Sequence, residues 1–105
     1  VRPRAISHIT GGGFYENIPR SLKKGMTARI EKAAVKVLPI FDLIAKEGHV
    51  PERDMFNTYN MGVGMTITVA KQDADKALEL LHANGEPGAY VLGEIVPGEG
   101  GVELW

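Results

Sequence analysis

Three consecutive glycines, Gly11 to Gly13, separate an apolar run ending at Ile9 from the segment Phe14-Tyr15-Glu16-Asn17-Ile18-Pro19-Arg20. A backbone without Cβ atoms takes positive φ angles freely and lets a ligand approach closely, so the rest of the chain has to be arranged around a loop here. Pro19 adds a rigid bend. Arg20 adds a guanidinium fork whose paired donors match phosphate or carboxylate oxygens. A phosphate-sized anion suits such a loop. The same residues also fit a plain flexible turn, with Glu16 and Asn17 as local caps and Arg20 as a solvated charge. The run has the spacing of neither nucleotide fingerprint, G-x-G-x-x-G nor G-x-x-x-x-G-K-[ST].

At 105 residues the chain is expected to form one domain, 1–105, with a single core. Its 44% hydrophobic and 24% charged content is that of an ordinary globular chain. The net charge of −1 comes from 12 basic and 13 acidic residues spread along the sequence, which leaves no basic face for nucleic acid or an anionic membrane. There is no cysteine, which removes disulfides, thiolate metal sites and a cysteine nucleophile, and fits a reducing compartment. No apolar run approaches the roughly 18 residues of a membrane helix, and no charged-then-apolar leader is seen, so a cytoplasmic location is expected. The chain opens on Val1 without an initiator methionine, as a piece of a longer polypeptide would.

In chain order, Arg4 to Ile9 reads as a short strand feeding the glycine loop. Glu16 to Leu22 reads as a helical turn or two, limited by Pro19. Lys23-Lys24-Gly25 is a turn, and Thr27 to Ile30 a short strand with its polar side outward. Pro39 starts a helix carrying Ile40, Leu43 and Ile44 at helical spacing and ended by Gly48. A second helix runs from Pro51, with Glu52 and Asp54 in its first turn and Met55, Phe56 and Tyr59 on one face, to about Asn60. Val63, Met65, Ile67 and Val69 alternate with Gly64, Thr66 and Thr68, which is the clearest strand pattern in the chain. Ala74, Ala77, Leu78 and Leu81 predict a helix stopped by Asn84-Gly85. Ala89 to Val96 reads as a strand with Gly93 as a bulge, and Val102 to Leu104 as a short terminal strand. The strand-helix-strand order from Val63 to Val96 has the size of a βαβ unit and also allows a split, antiparallel return. The expected class is α+β with α/β-like layers: a single mixed sheet with packed helices, partly ferredoxin-like.

A second glycine loop, Asn60-Met61-Gly62-Val63-Gly64-Met65, leads into the strongest strand. Glycine weakens a strand, so Gly62 and Gly64 fit a close approach of backbone or ligand, and they equally fit a bulge with Asn60 ending a helix. Amides from two glycine loops can converge on one anion.

These two stretches, His8-Ile9-Thr10-Gly11-Gly12-Gly13-Phe14 with Glu16-Asn17-Ile18-Pro19-Arg20, and Asn60-Met61-Gly62-Val63-Gly64-Met65, resemble the C-terminal domain of the aminoimidazole ribonucleotide synthetase family, the phosphoribosylformylglycinamidine cyclo-ligases of purine biosynthesis. The resemblance runs over nearly the whole chain. It implies an ATP-dependent ring closure of formylglycinamidine ribonucleotide, with Mg2+ accompanying ATP. It also implies an N-terminal ATP-binding domain, absent from this chain, that holds most of the ATP site and a homodimer interface, so that this piece alone is inactive. Carried over residue by residue, Gly11, Gly12 and Gly13 face the cleft with Thr10 and Asn17 as side-chain donors or acceptors. Arg20 binds phosphate or ties the loop down, and Asn60, Gly62 and Gly64 form the opposite lip. The related glutamine-dependent enzyme one step earlier has an aspartate in its glycine loop; Thr10-Gly11-Gly12-Gly13 has none.

No residue is assigned a catalytic role. His8 suits either proton transfer or a structural hydrogen bond at a strand end. His49 and His82 lack metal-ligand spacing to each other or to carboxylates, and no metal ligand is assigned. Glu31 with Lys32, and Lys76 with Glu79, read as solvated faces. Trp105 packs on the sheet or belongs to a segment that continues. Two other readings remain open: a non-catalytic small-ligand or regulatory module of ferredoxin-like type, and an interaction domain that covers an apolar sheet face with a partner.

Overall fold

In a computed structural model describing residues 1–105, β1 (Ala5–His8) runs into the glycine loop and then α1 (Gly13–Arg20). β2 (Met26–Ile30) follows, then a 3-10 turn at Lys32–Ala34, α2 (Pro39–Glu47), α3 (Glu52–Thr58) and β3 (Met65–Thr68). A second 3-10 turn at Lys71–Asp73 leads into α4 (Ala74–Ala83), and β4 (Gly93–Pro97) and β5 (Val102–Leu104) close the chain. The α+β class expected from the periodicities is the one observed. No helix is long and apolar enough to cross a membrane.

The single sheet is not formed. β1 pairs antiparallel with β3, with Ile6 opposite Ile67 and His8 opposite Met65. A separate three-stranded sheet has the order β4-β2-β5, antiparallel to β4 and parallel to β5, so only this one is mixed. The reason is α1, which packs against β1, β2, β5 and α3 and occupies the space between the two sheets. Phe14 at 0% exposure and the buried Ile18 fill that space, with the Phe56 ring edge-on to Phe14 at 5.3 Å between centroids. β3 and β4 therefore lie in different sheets. The stretch from Val63 to Val96 is neither a βαβ crossover nor a ferredoxin-like return.

Several boundaries differ for local reasons. α1 begins at Gly13, three residues before the expected start, and carries Pro19 in its last turn, where a missing N–H costs one bond. β2 buries Thr27 together with Ala28 and Ile30, and only Arg29 among its polar side chains points out. Gly93 opens β4 opposite Ile30 rather than bulging it, because a Cβ there would overlap the Arg29 carbonyl oxygen. The core gathers Ile9, Phe14, Ile18, Ala28, Ile30, Val35, Met55, Phe56 and Met61 around α1.

Candidate functional site

The glycine loop is built by Asn17, which reaches back from the second turn of α1. Its buried Nδ2 donates to the carbonyls of Gly13 (2.9 Å), Thr10 (3.2 Å) and Gly11 (3.4 Å). Thr10 Oγ1 donates to Asn17 Oδ1 at 3.5 Å. Two amide protons serving three carbonyls hold the loop in one shape and leave Asn17 little capacity for a ligand. Ser7 Oγ, 3.0 Å from the Asn17 carbonyl oxygen and 2.9 Å from Ser21 Oγ, fixes β1 to the same helix. Sequence reasoning missed both serines; only the burial of Ser7 and its hydrogen bonds to Asn17 and to the half-buried Ser21 mark them.

The loop glycines divide by cause. Gly12 (φ 108°) and Gly13 (φ 60°) are in the left-handed region that side chains resist. A Cβ on Gly12 would stand 2.9 Å from Glu16 Cβ, and one on Gly13 would overlap the Phe56 carbonyl where α1 crosses α3. Gly11 is different: it has ordinary φ, is exposed, and has open space where a Cβ would go. Gly13 N–H is spent on the Thr10 carbonyl at 3.0 Å, while the N–H groups of Gly11 and Gly12 have no acceptor within the chain. They stand beside the positive end of α1, which favours an anion.

The second loop is a tight turn. Val63 N–H donates to the Asn60 carbonyl (2.9 Å), Met61 and Gly62 have φ of 57° and 100°, and Asn60 Oδ1 accepts from Gly62 N–H at 2.9 Å. Positive φ at both central residues defines a type I′ turn. A Cβ on Gly62 would lie 2.8 Å from Leu38 Cγ, so this glycine packs against the start of α2. Gly64 has neither constraint: φ is not positive and nothing lies within 4 Å of its Cβ position. Its carbonyl accepts from Ile9 N–H at 2.9 Å, which brings the second loop beside the first.

An open groove of about 330 Å³ runs along β1 and α1, lined by His8, Thr10, Asn17 and Arg20 among others. Arg20 is exposed and has no carboxylate within 4.0 Å. The groove thus offers hydroxyl, imidazole and guanidinium groups to a ligand with oxygens. Gly11, Gly12 and Gly13 do not line it, and neither do Asn60, Gly62 and Gly64. His49 ends α2, and His82 places a ring nitrogen 2.8 Å from the Ala89 carbonyl oxygen. Lys76 pairs with Glu79 on an exposed face, and Lys32 pairs with Glu52 of α3 rather than with its neighbour Glu31. No three His, Asp or Glu side chains converge as metal ligands would.

A layered α+β domain with a hydrogen-bonded glycine loop next to an open groove that carries Arg20 is the class these features define. A family model described as "AIR synthase related protein, C-terminal domain" matches residues 2–105, and the chain belongs to that family. Curated relatives named phosphoribosylformylglycinamidine cyclo-ligase include those of Lachnoclostridium phytofermentans (55% identical over 104 residues, 99% of this chain and 30% of the relative) and Caldanaerobacter subterraneus (52% over 104 residues, 99% and 31%). The relative from Bifidobacterium longum is 46% identical over 101 residues, 96% of this chain and 29% of its own length. The chain thus spans about three tenths of the length of the curated relatives it matches.

Proposed function

We propose that this chain is the C-terminal part of an ATP-dependent cyclo-ligase that converts formylglycinamidine ribonucleotide to aminoimidazole ribonucleotide in purine biosynthesis, and that its glycine loops form one wall of the substrate cleft. The observation that carries this reading is Gly11: the fold gives no reason for a glycine there, yet its unpaired N–H stands beside an equally unpaired Gly12 N–H at the head of α1. Absence of a side chain then serves an incoming anion. Gly64, equally free of a packing reason, offers the facing lip, and Arg20 supplies a paired donor for phosphate or carboxylate oxygens.

Thr10 and Asn17 act on this reading by shaping the loop, and Thr10 also presents its hydroxyl at the groove. ATP, when bound, activates the formyl amide oxygen as a leaving group. This chain's own residues bind and orient the substrate's anionic end while the rest of the polypeptide holds most of the nucleotide. No three acidic or histidine side chains converge in residues 1–105, and on this reading the Mg2+ that accompanies ATP would be held mainly by the rest of the polypeptide. A homodimer, an N-terminal ATP-binding domain, inactivity of this piece alone and a cytoplasmic location belong to the same reading.

The test is Gly11→Asp in the complete enzyme. Gly12→Asp, the choice that the glycine run invites by itself, carries the cost of a positive φ and a contact with Glu16, so lost activity there would be ambiguous. Gly11→Asp fits sterically and places a carboxylate against the anion. Turnover should fall by about two orders of magnitude or more, as when an anion-stabilising donor is lost, with thermal stability unchanged. Wild-type turnover would remove the loop from the site.

A further inference from the structure

Glu16 stands in the first turn of α1, where an acid is drawn back onto the helix's own unpaired N–H groups. Here it is not, since no side chain caps α1. The Glu16 carboxyl carbon lies 3.3 Å from the place a Gly12 Cβ would take, and its Oε2 accepts instead from Asn57 Nδ2 of α3. The same Nδ2 stands 3.5 Å from the Gly12 carbonyl oxygen, so one half-buried amide ties α3 to both the acid and the loop beside it. No lysine, arginine or histidine approaches the Glu16 carboxylate within 4.0 Å. Arg53, one turn earlier on α3, is engaged by the Tyr15 ring, 3.9 Å from its centroid. Asn57 is thus the one side chain that holds this carboxylate, and the N–H groups of Gly11 and Gly12 stay open beside it.

We infer that Asn57 is a positioning residue for the glycine loop: it holds the Glu16 carboxylate toward α3 and so keeps the Gly11 and Gly12 N–H groups free for an anionic oxygen of the substrate. The inference rests on the reading above that these N–H groups receive the substrate's anionic end, and goes beyond it by giving the loop an internal competitor. Released from Asn57, the carboxylate has a full charge, no cation, and two free N–H donors beside it at the positive end of α1. Hydrogen bonds to an ionised acceptor are roughly twice as strong as neutral ones, so the acid then takes the place of the incoming anion. Substrate has to displace it, and the apparent affinity falls by the fraction of molecules in which the loop is open. Packing does not require the Glu16–Asn57 bond. It is exposed to water, while the buried rings of Phe14 and Phe56 fill the crossing of α1 and α3.

The test is a rescue in the complete enzyme. Asn57→Ala should raise KM for formylglycinamidine ribonucleotide about ten-fold, as when the loop is open in about a tenth of the molecules, with kcat within about two-fold of wild type. Adding Glu16→Gln, which removes the competing charge, should bring KM back to within about two-fold of that of Glu16→Gln alone. A merely structural Asn57 predicts no such recovery, because a second substitution at the same contact cannot rebuild it. Asn57→Asp keeps the side-chain shape while repelling Glu16, so it should raise KM at least as far. Glu16→Gln should rescue it too, by donating an amide proton to the aspartate. Unchanged KM in both Asn57 variants, or a raised KM that Glu16→Gln does not lower, would overturn the inference. Its failure is separate from failure of the reading beneath it. If Gly11→Asp leaves turnover at the wild-type rate, the loop lies outside the site and both fall. If Gly11→Asp abolishes turnover and the rescue is absent, only the role of Asn57 falls.

Discussion

A methyl group at Gly13 would sit against the backbone carbonyls of Phe56 and Tyr59, and φ at this residue is already 60°. Gly13→Ala should therefore cost about 2–4 kcal/mol in a urea melt, through strain and separation of α1 from α3. Gly64→Ala, with open space and ordinary φ, should stay within about 0.5 kcal/mol of wild type. Equal effects would mean that the α1–α3 crossing does not depend on glycine. Asn17 is the other decisive residue. Asn17→Ala strands three loop carbonyls and should cost about 2–3 kcal/mol, and amide exchange should quicken across residues 10–13. Retained stability with slow exchange would show that the loop holds its shape without Asn17. Both residues were singled out in the sequence as ligand contacts; packing gives each a structural task that sequence alone does not display.

At the scale of elements, the ends of α2 and α4 solve the same problem with different residues. In α4, Glu86 N–H donates to the Leu81 carbonyl at 2.9 Å across Gly85 at φ 99°. In α2, Val50 N–H donates to the Ala45 carbonyl (3.0 Å) and His49 N–H to the Lys46 carbonyl (3.4 Å), with His49 at φ 51°. The α2 ending is a full Schellman motif and α4 keeps its 6→1 bond, and in each the left-handed position favours glycine. His49→Gly should stabilise the protein by about 1 kcal/mol in a denaturant titration. A loss of stability would mean that the His49 side chain makes a compensating contact. Gly48 and Asn84-Gly85 were readable as stops, but the strained position in α2 falls one residue past the glycine that the sequence advertises. The same limit applies to β3. Alternation from Val63 to Val69 announces a strand, and pairing with β1 decides that only Met65 to Thr68 joins it and that its apolar side faces out.

For the molecule as a whole, the apolar surface is unevenly finished. Besides Ile6, Met65 and Ile67 on the outer side of the β1–β3 pair, Leu38, Ile40 and Leu43 stand exposed on and beside α2. Replacing outward apolar residues of the residue 1–105 chain with lysine, for example Met65→Lys and Ile67→Lys, should raise its solubility and reduce binding of a hydrophobic dye. Unchanged dye binding would place the sticky surface elsewhere. The exposed Lys32–Glu52 pair ties the turn after β2 to α3, and hydrogen bonding to Glu52 raises the Lys32 pKa above its usual 10.5. Since the folded state holds this proton more tightly, the pair's contribution is fully present below pH 10.5 and is lost as pH rises through the folded value. Any stability difference between wild type and Glu52→Gln should therefore be constant across neutral pH and shrink in strong alkali. A difference that vanished near neutrality would assign it to another group.

The family was legible only through the resemblance of the two motif stretches, but local chemistry was enough to place nearly every helix and strand and the two glycine loops, because caps, alternation and glycine runs act over a few neighbouring residues. It could not separate glycines required by packing, Gly13 and Gly62, from those the fold leaves free, Gly11 and Gly64, since that difference depends on Phe56 and Leu38, more than 20 positions away. Nor could it show that α1 divides one expected sheet into two, or that the Ile6–Ile67 face remains bare. Those outcomes rest on which surfaces meet, and only the tertiary structure settles that.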